Sequence, residues 1–150
     1  MTVVDVAVAE LGVEEEPHGS NSGKRVNEYL HAVGLGGGYS WCMAFCVWCY
    51  NEFYGASSPL KKTGGVLAQW HISEAQNRSK VPVIGSVFIM DFGGGLGHAG
   101  IVESIEGDYI HTIEGNSNDE GSREGYEVCR RKRKISTMKG FITPYTPAIT

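Results

Sequence analysis

Cys42, His98, Glu114 and Asn116 are residue types that nucleophilic chemistry on a carbonyl can use. Cys42 follows the glycine-rich stretch Gly34–Tyr39 and Ser40, where a helix is expected to begin. Unpaired backbone N–H groups and the dipole at such an end favour a thiolate. The same N–H groups could hold the oxyanion of an attacked carbonyl. The competing reading is a structural thiol that fills the core as a small hydrophobe, and position alone leaves the two even. His98 follows Gly93–Gly97 and opens the strand-like HAGIVESI, a place where an imidazole could be partly exposed and titrate. Antiparallel pairing across Glu106–Gly107, with Asp108 beside Ile105, brings Glu114 toward the His98 end. A carboxylate there can accept the imidazole N–H, select its tautomer and stabilise the imidazolium. Asn116 could bond the same ring or the substrate. His18, His31, His71 and His111 are rival bases; His111 lies inside an alternating strand without a glycine-rich approach.

Cys46 and Cys49 lie further along the same apolar segment, among Phe45, Val47, Trp48 and Phe53, and are expected to be inert core thiols. With Cys42 they spell C-x₃-C-x₂-C, a spacing that an iron–sulfur cluster can use when the segment is a loop around it. The periodic, aromatic-rich character of the segment argues for a helix instead. A metal site of Cys42, Cys46, Cys49 and His98 is set aside for the same reason, and the reading calls for no cofactor and no metal.

The elements that must position these residues fall into two blocks. Helical spacing marks residues 3–11, Lys24–Val33, Trp41–Tyr54 with Ser40 as N-cap, and Val66–Asn77. The period then drops to two over Pro82–Asp91, His98–Ile105, Asp108–Glu114, Tyr126–Ile135 and Gly140–Ile142, with turns between. Helices followed by closely spaced strands give an α+β fold with an antiparallel sheet. No internal repeat or long linker divides residues 1–150, so a single domain is expected.

Composition narrows the function classes. Hydrophobic residues are 41% and charged residues 20%, a globular balance rather than a disordered one. Thirteen Lys+Arg against seventeen Asp+Glu give a net charge of −4, which disfavours a dedicated nucleic-acid binder. No apolar run reaches the ~20 residues of a membrane helix, so no membrane insertion is expected. Four cysteines are too few for a disulfide scaffold. The N-terminal MTVVDVAVAELG lacks the basic leader of a signal peptide, so synthesis in the cytoplasm is expected.

Taken together, Ser40-Trp41-Cys42, Gly97-His98-Ala99-Gly100-Ile101-Val102 and Glu114-Gly115-Asn116 resemble the CHAP family, the cysteine, histidine-dependent amidohydrolases/peptidases close to NlpC-like and papain-like enzymes. Leu11-Gly12-Val13, Glu16-Pro17, Ser20-Asn21 and Tyr29-Leu30 resemble phage-associated members. The resemblance implies a papain-like α+β domain, N-terminal helices on a C-terminal antiparallel sheet, that cuts an amide bond of bacterial peptidoglycan. By that resemblance Cys42 is the nucleophile, His98 the base, Glu114 the orienting acid and Asn116 the supporting amide. Many members carry Gln immediately before the cysteine; here it is Trp41, so backbone N–H groups, Ser40 or Tyr39 would serve the oxyanion. Some members bind calcium through an acidic loop, a pattern that Glu14–Glu16 do not match. Action at the wall would require release or delivery of the chain, and a delivered toxin would be paired with an immunity or inhibitor protein. The rival classes are a non-catalytic wall-peptide binding module and a papain-like amidase or deamidase effector with another substrate.

Two further features stand outside this reading. Arg130–Lys134 (RRKRK) is expected to be a solvated edge strand whose charges block edge pairing, the alternative being contact with anionic wall polymers or nucleic acid. Trp41 and Trp70 could stack on sugars, whereas Trp48 is assigned to the core.

Overall fold

A computed structural model of the chain describes residues 1–115 and 125–144. Thr2 and Asp5 open the first helix with a reciprocal capping box, and α1 covers Val3–Val8. It is shorter than the apolar stretch suggests, because the chain turns toward Gly12, which has φ +91°. α2 covers Lys24–Ala32, α3 Cys42–Tyr54 and α4 Val66–Ile72. The last was expected to reach Asn77. It stops where Ser73 turns extended, and only a 3₁₀ turn, Ala75–Asn77, follows.

α3 is apolar all round from Cys42 to Tyr50, and that part accordingly lies between other elements. It packs on α1 and α2 on one side and on the sheet on the other. Cys42 to Val47, Cys49 and Tyr50 are all buried, and the Tyr50 hydroxyl donates to the Gly85 carbonyl. Among the described residues no helix is long and apolar enough to cross a membrane.

The sheet comprises β1 (Arg78–Ser79), β2 (Val87–Gly93), β3 (Leu96–Glu106), β4 (Tyr109–Gly115), β5 (Val128–Lys134) and β6 (Gly140–Ile142). Among the described residues the order is β1-β6-β2-β3-β4-β5, and every pair is antiparallel. This is the expected papain-like α+β arrangement. Two differences arise from pairing that sequence periodicity does not reveal. β1 exists only because β6 pairs with it, and residues 82–86 form a turn rather than the start of β2.

One sheet face, with Val87, Ile89, Ala99, Ile101 and Ile113, joins α3 in the main core. On the other, Phe88, Met90, Val102, Ile110 and Phe141 form a second core. The link from β5 to β6 closes over that second core with Ile135 and Met138. It is held by Ile135 N–H to Asp108 O and Lys139 N–H to Ile89 O, both 2.8 Å.

The β3–β4 register differs from expectation, and the difference decides which face Glu114 occupies. The turn pairs Glu106 with Tyr109 and Ile105 with Ile110, not Ile105 with Asp108. Between Val102 and Ser104 the register slips by one residue, leaving Glu103 as a bulge, and Ile101 then pairs with Ile113. Carried on, that register sets Glu114 across from Gly100, on the His98 face. Without the slip Glu114 would fall across from Ile101 and point to the opposite face, because side chains alternate along a strand.

Candidate active site

Cys42 is the first residue of α3, one position nearer the helix end than expected, and Ser40 is not the cap. The N-cap is Trp41, with no side-chain cap bond, and Ser40 is exposed. Trp41 itself is a core residue, 0% exposed. Its indole N–H donates to Glu15 Oε2 at 2.7 Å, and Glu15 Oε1 accepts the Gly19 N–H at 2.8 Å. The tryptophan before the nucleophile candidate therefore anchors the helix start and is available neither as an oxyanion donor nor for stacking on a sugar. Tyr39, 54% exposed, and Ser40 are the side chains next to Cys42 that face solvent. The first turn of α3 meets the end of β4. A Cβ on Gly115 would lie 2.7 Å from Phe45 Cβ and 2.9 Å from the Trp41 ring, so only glycine allows this approach.

His98 is fully buried, not partly exposed as its place at the strand mouth suggested, and Cys42 is 4% exposed. The ring lies beside Phe88, with centroids 5.7 Å apart. His98 Nε2 is 2.8 Å from Glu114 Oε1. Glu114 is also fully buried and reaches the histidine across Gly100. A Cβ there would sit 2.7 Å from Glu114 Cγ and 2.6 Å from the Phe88 ring.

Three further donors converge on the carboxylate. Thr112 Oγ1 donates to Oε2 at 2.6 Å. Arg133 donates from Nε to Oε2 at 2.6 Å and from its terminal nitrogen to Oε1 at 2.7 Å. Burial by itself would raise the Glu114 pKa. The hydrogen bonds and charges of Arg133 and His98 outweigh it and hold the group down to about 2. An ionised carboxylate can only accept, so the His98 nitrogen facing it is the one that carries the proton. In the neutral ring Nδ1 is then the basic nitrogen.

Sequence reasoning missed Arg133 and Thr112. β5 is an edge strand, as expected for the basic run, and Arg130 and Lys132 face Glu103 and Glu106 on the exposed side. Strand alternation turns Arg131 and Arg133 the other way. Arg133 is only 16% exposed and lies 5.6 Å over the Phe88 ring. The run is thus two rows of opposite roles. Period-two alternation was the available signal, but the β4–β5 register, Ile110 with Arg133 and Thr112 with Arg131, could not be read from it.

Asn116 lies outside the described residues. The rival histidines do not enter the site: His18 pairs with Glu14 and stacks on Tyr126, and His111 pairs with exposed Glu106. His31 and His71 are exposed. Cys46 and Cys49 are buried within α3, and burial above all pushes both thiols well up. The C-x₃-C-x₂-C segment is helical throughout, which is not the loop that would wrap a cluster. Trp48 packs against the core under Arg25, and Trp70 packs against Gly140 with Arg78 over its ring.

A family model described as CHAP domain matches residues 34–116, from the glycine loop before Cys42 to Asn116. No curated protein matches the chain.

Proposed function

The chain belongs to the CHAP family, the cysteine, histidine-dependent amidohydrolases/peptidases, and from that premise we propose that it hydrolyses an amide bond of bacterial peptidoglycan through a thioester on Cys42. The observation that carries the reading is the buried His98–Glu114 pair, 2.8 Å apart, with the carboxylate ionised. This pair sits at the end of the sheet that the first turn of α3 meets.

In this mechanism His98 Nδ1 takes the thiol proton, since Nε2 is committed to Glu114. The Cys42 thiolate attacks the amide carbonyl, and first-turn N–H groups of α3 hold the oxyanion. The imidazolium gives its proton to the leaving amine as the C–N bond breaks. Water then adds to the thioester, losing a proton to Nδ1, and the acid and the thiol are released. Glu114 keeps the ring in the productive tautomer and balances its charge. Asn116 is assigned the supporting amide role. Ser40 and Tyr39, exposed beside Cys42, are assigned to meet substrate. Action at the wall after release or delivery, and an immunity or inhibitor partner for a delivered form, belong to the same proposal.

The test is mass spectrometry of purified peptidoglycan incubated with the chain and with Cys42→Ala. New amine and carboxyl ends released by the first and not by the second support the reading, and their identity names the bond. Intact peptidoglycan that co-sediments the protein would favour a binding module. Intact peptidoglycan alongside turnover of protein or small-molecule amides would move the substrate to an effector's target.

A further inference from the structure

We propose that Arg133 is a positioning residue for catalysis: its guanidinium fork fixes the Glu114 carboxylate in the orientation that presents Oε1 to His98. The inference rests on the reading of His98 as the base.

The geometry is closed on every side. Oε1 accepts from His98 and Arg133, and Oε2 from Thr112 and Arg133. A carboxylate has about four lone-pair positions, and these four donors occupy them. The paired N–H···O bonds from Nε and a terminal nitrogen set the plane of the carboxylate as a single point charge could not. Arg133 and His98 flank the same Phe88 ring, at 5.6 Å and 5.7 Å. Guanidinium, carboxylate, imidazole and phenyl group therefore form one packed unit contributed by β5, β4, β3 and β2. Arg130 and Lys132, on the other side of β5, pair with exposed glutamates, where ion pairs contribute little.

Arg133 also tempers the charge that His98 meets. A bare buried glutamate would strongly favour the imidazolium, and a cation on the same carboxylate weakens that preference. Among the described residues, Cys46 on α3 lies within reach of the Glu114 charge. Arg131 and Cys129 on β5 pair with Thr112 and Glu114 on the same face. β2 contributes Phe88 and Met90, which do not titrate.

The experiment compares wild type, Arg133→Gln, Arg133→Lys and the charge control Lys134→Gln, an exposed position on β5. Three quantities are read: the His98 tautomer and titration by ¹⁵N NMR of histidine-labelled protein, peptidoglycan hydrolysis across pH, and Tm. Arg133→Gln should lower the hydrolysis rate about 10- to 100-fold and move the His98 titration to higher pH by about one unit. Arg133→Lys should restore the titration midpoint, since the charge returns, but recover the rate only in part, since the fork does not. Lys134→Gln should match wild type in all three. If Arg133→Gln does not fold, Arg133→Lys still decides the matter through its rate. Wild-type rate and titration in a folded Arg133→Gln protein would overturn the proposal, as would an Arg133→Lys protein with full activity. So would a rate loss that follows Tm while the tautomer and titration stay unchanged. If the wild type leaves peptidoglycan intact, the functional reading fails, and the NMR shift alone decides whether Arg133 positions the pair.

Discussion

The Cys42 side chain separates chemistry from packing, because it begins a helix whose next two cysteines are wholly internal. Replacing it by Ala should abolish hydrolysis, by about 10³-fold or more, with Tm close to wild type; a Tm collapse would make Cys42 a core residue. Cys46 and Cys49, with thiols pushed well up by burial, should stay unlabelled by iodoacetamide in the native protein and react only on unfolding. Peptide mass mapping checks this. Activity losses, read as turnover on one purified wall substrate, should follow the order His98→Ala, Glu114→Gln, Asn116→Ala, since His98 is assigned to move the proton and Glu114 to hold His98. Glu114→Gln carries a second cost, because it removes the buried charge to which Arg133 donates twice. Losing one member of such a pair costs roughly 3 kcal/mol, so this variant should melt measurably lower than Asn116→Ala. Equal melting temperatures would show that the Glu114 charge contributes no stability of this size.

Two strand features put the carboxylate within reach of the imidazole, and each can be disturbed separately. The Glu103 bulge selects the face, and the missing side chain at Gly100 leaves room for Glu114 and Phe88 to cross the strand. Gly100→Ala would set a methyl group 2.7 Å from Glu114 Cγ. Overpacking of this kind costs about 1–3 kcal/mol. It should also displace the carboxylate, so activity on peptidoglycan should fall further than the change in Tm explains. Full activity in Gly100→Ala would mean that the sheet yields without moving Glu114.

The pH response of the whole molecule follows from the same pair. Glu114 titrates at about 2 in the folded chain against an ordinary value of 4.5. The folded state therefore binds its proton more weakly than the unfolded state does. The stability this contributes is complete above the unfolded value and is lost as pH falls from about 5 through 2. Thermal melts between pH 6 and pH 2.5 should show Tm dropping across that window, with a shallower slope for Glu114→Gln. Parallel slopes for the two proteins would remove Glu114 from the acid response.

Much of this was legible along the chain because it depends on local order. The switch from helical to alternating periodicity announced helices followed by an antiparallel sheet. The glycine stretches before Cys42 and His98 marked where a helix and a strand would begin. Cys42, His98 and Glu114 could be named because each lies in a short segment of characteristic composition. What only the tertiary structure decided is geometry between elements. Trp41, adjacent to Cys42, belongs to the core because Glu15, far away in sequence, accepts its indole N–H. Strand β1 exists because β6 lies beside it. Glu114 faces His98 because a one-residue bulge reverses the alternation, and parity along a strand is invisible until both partners are in register. Arg133 looked like one charge in a solvated run, and came to supply two of the four contacts of a buried carboxylate only through a strand pairing that joins residues 19 apart.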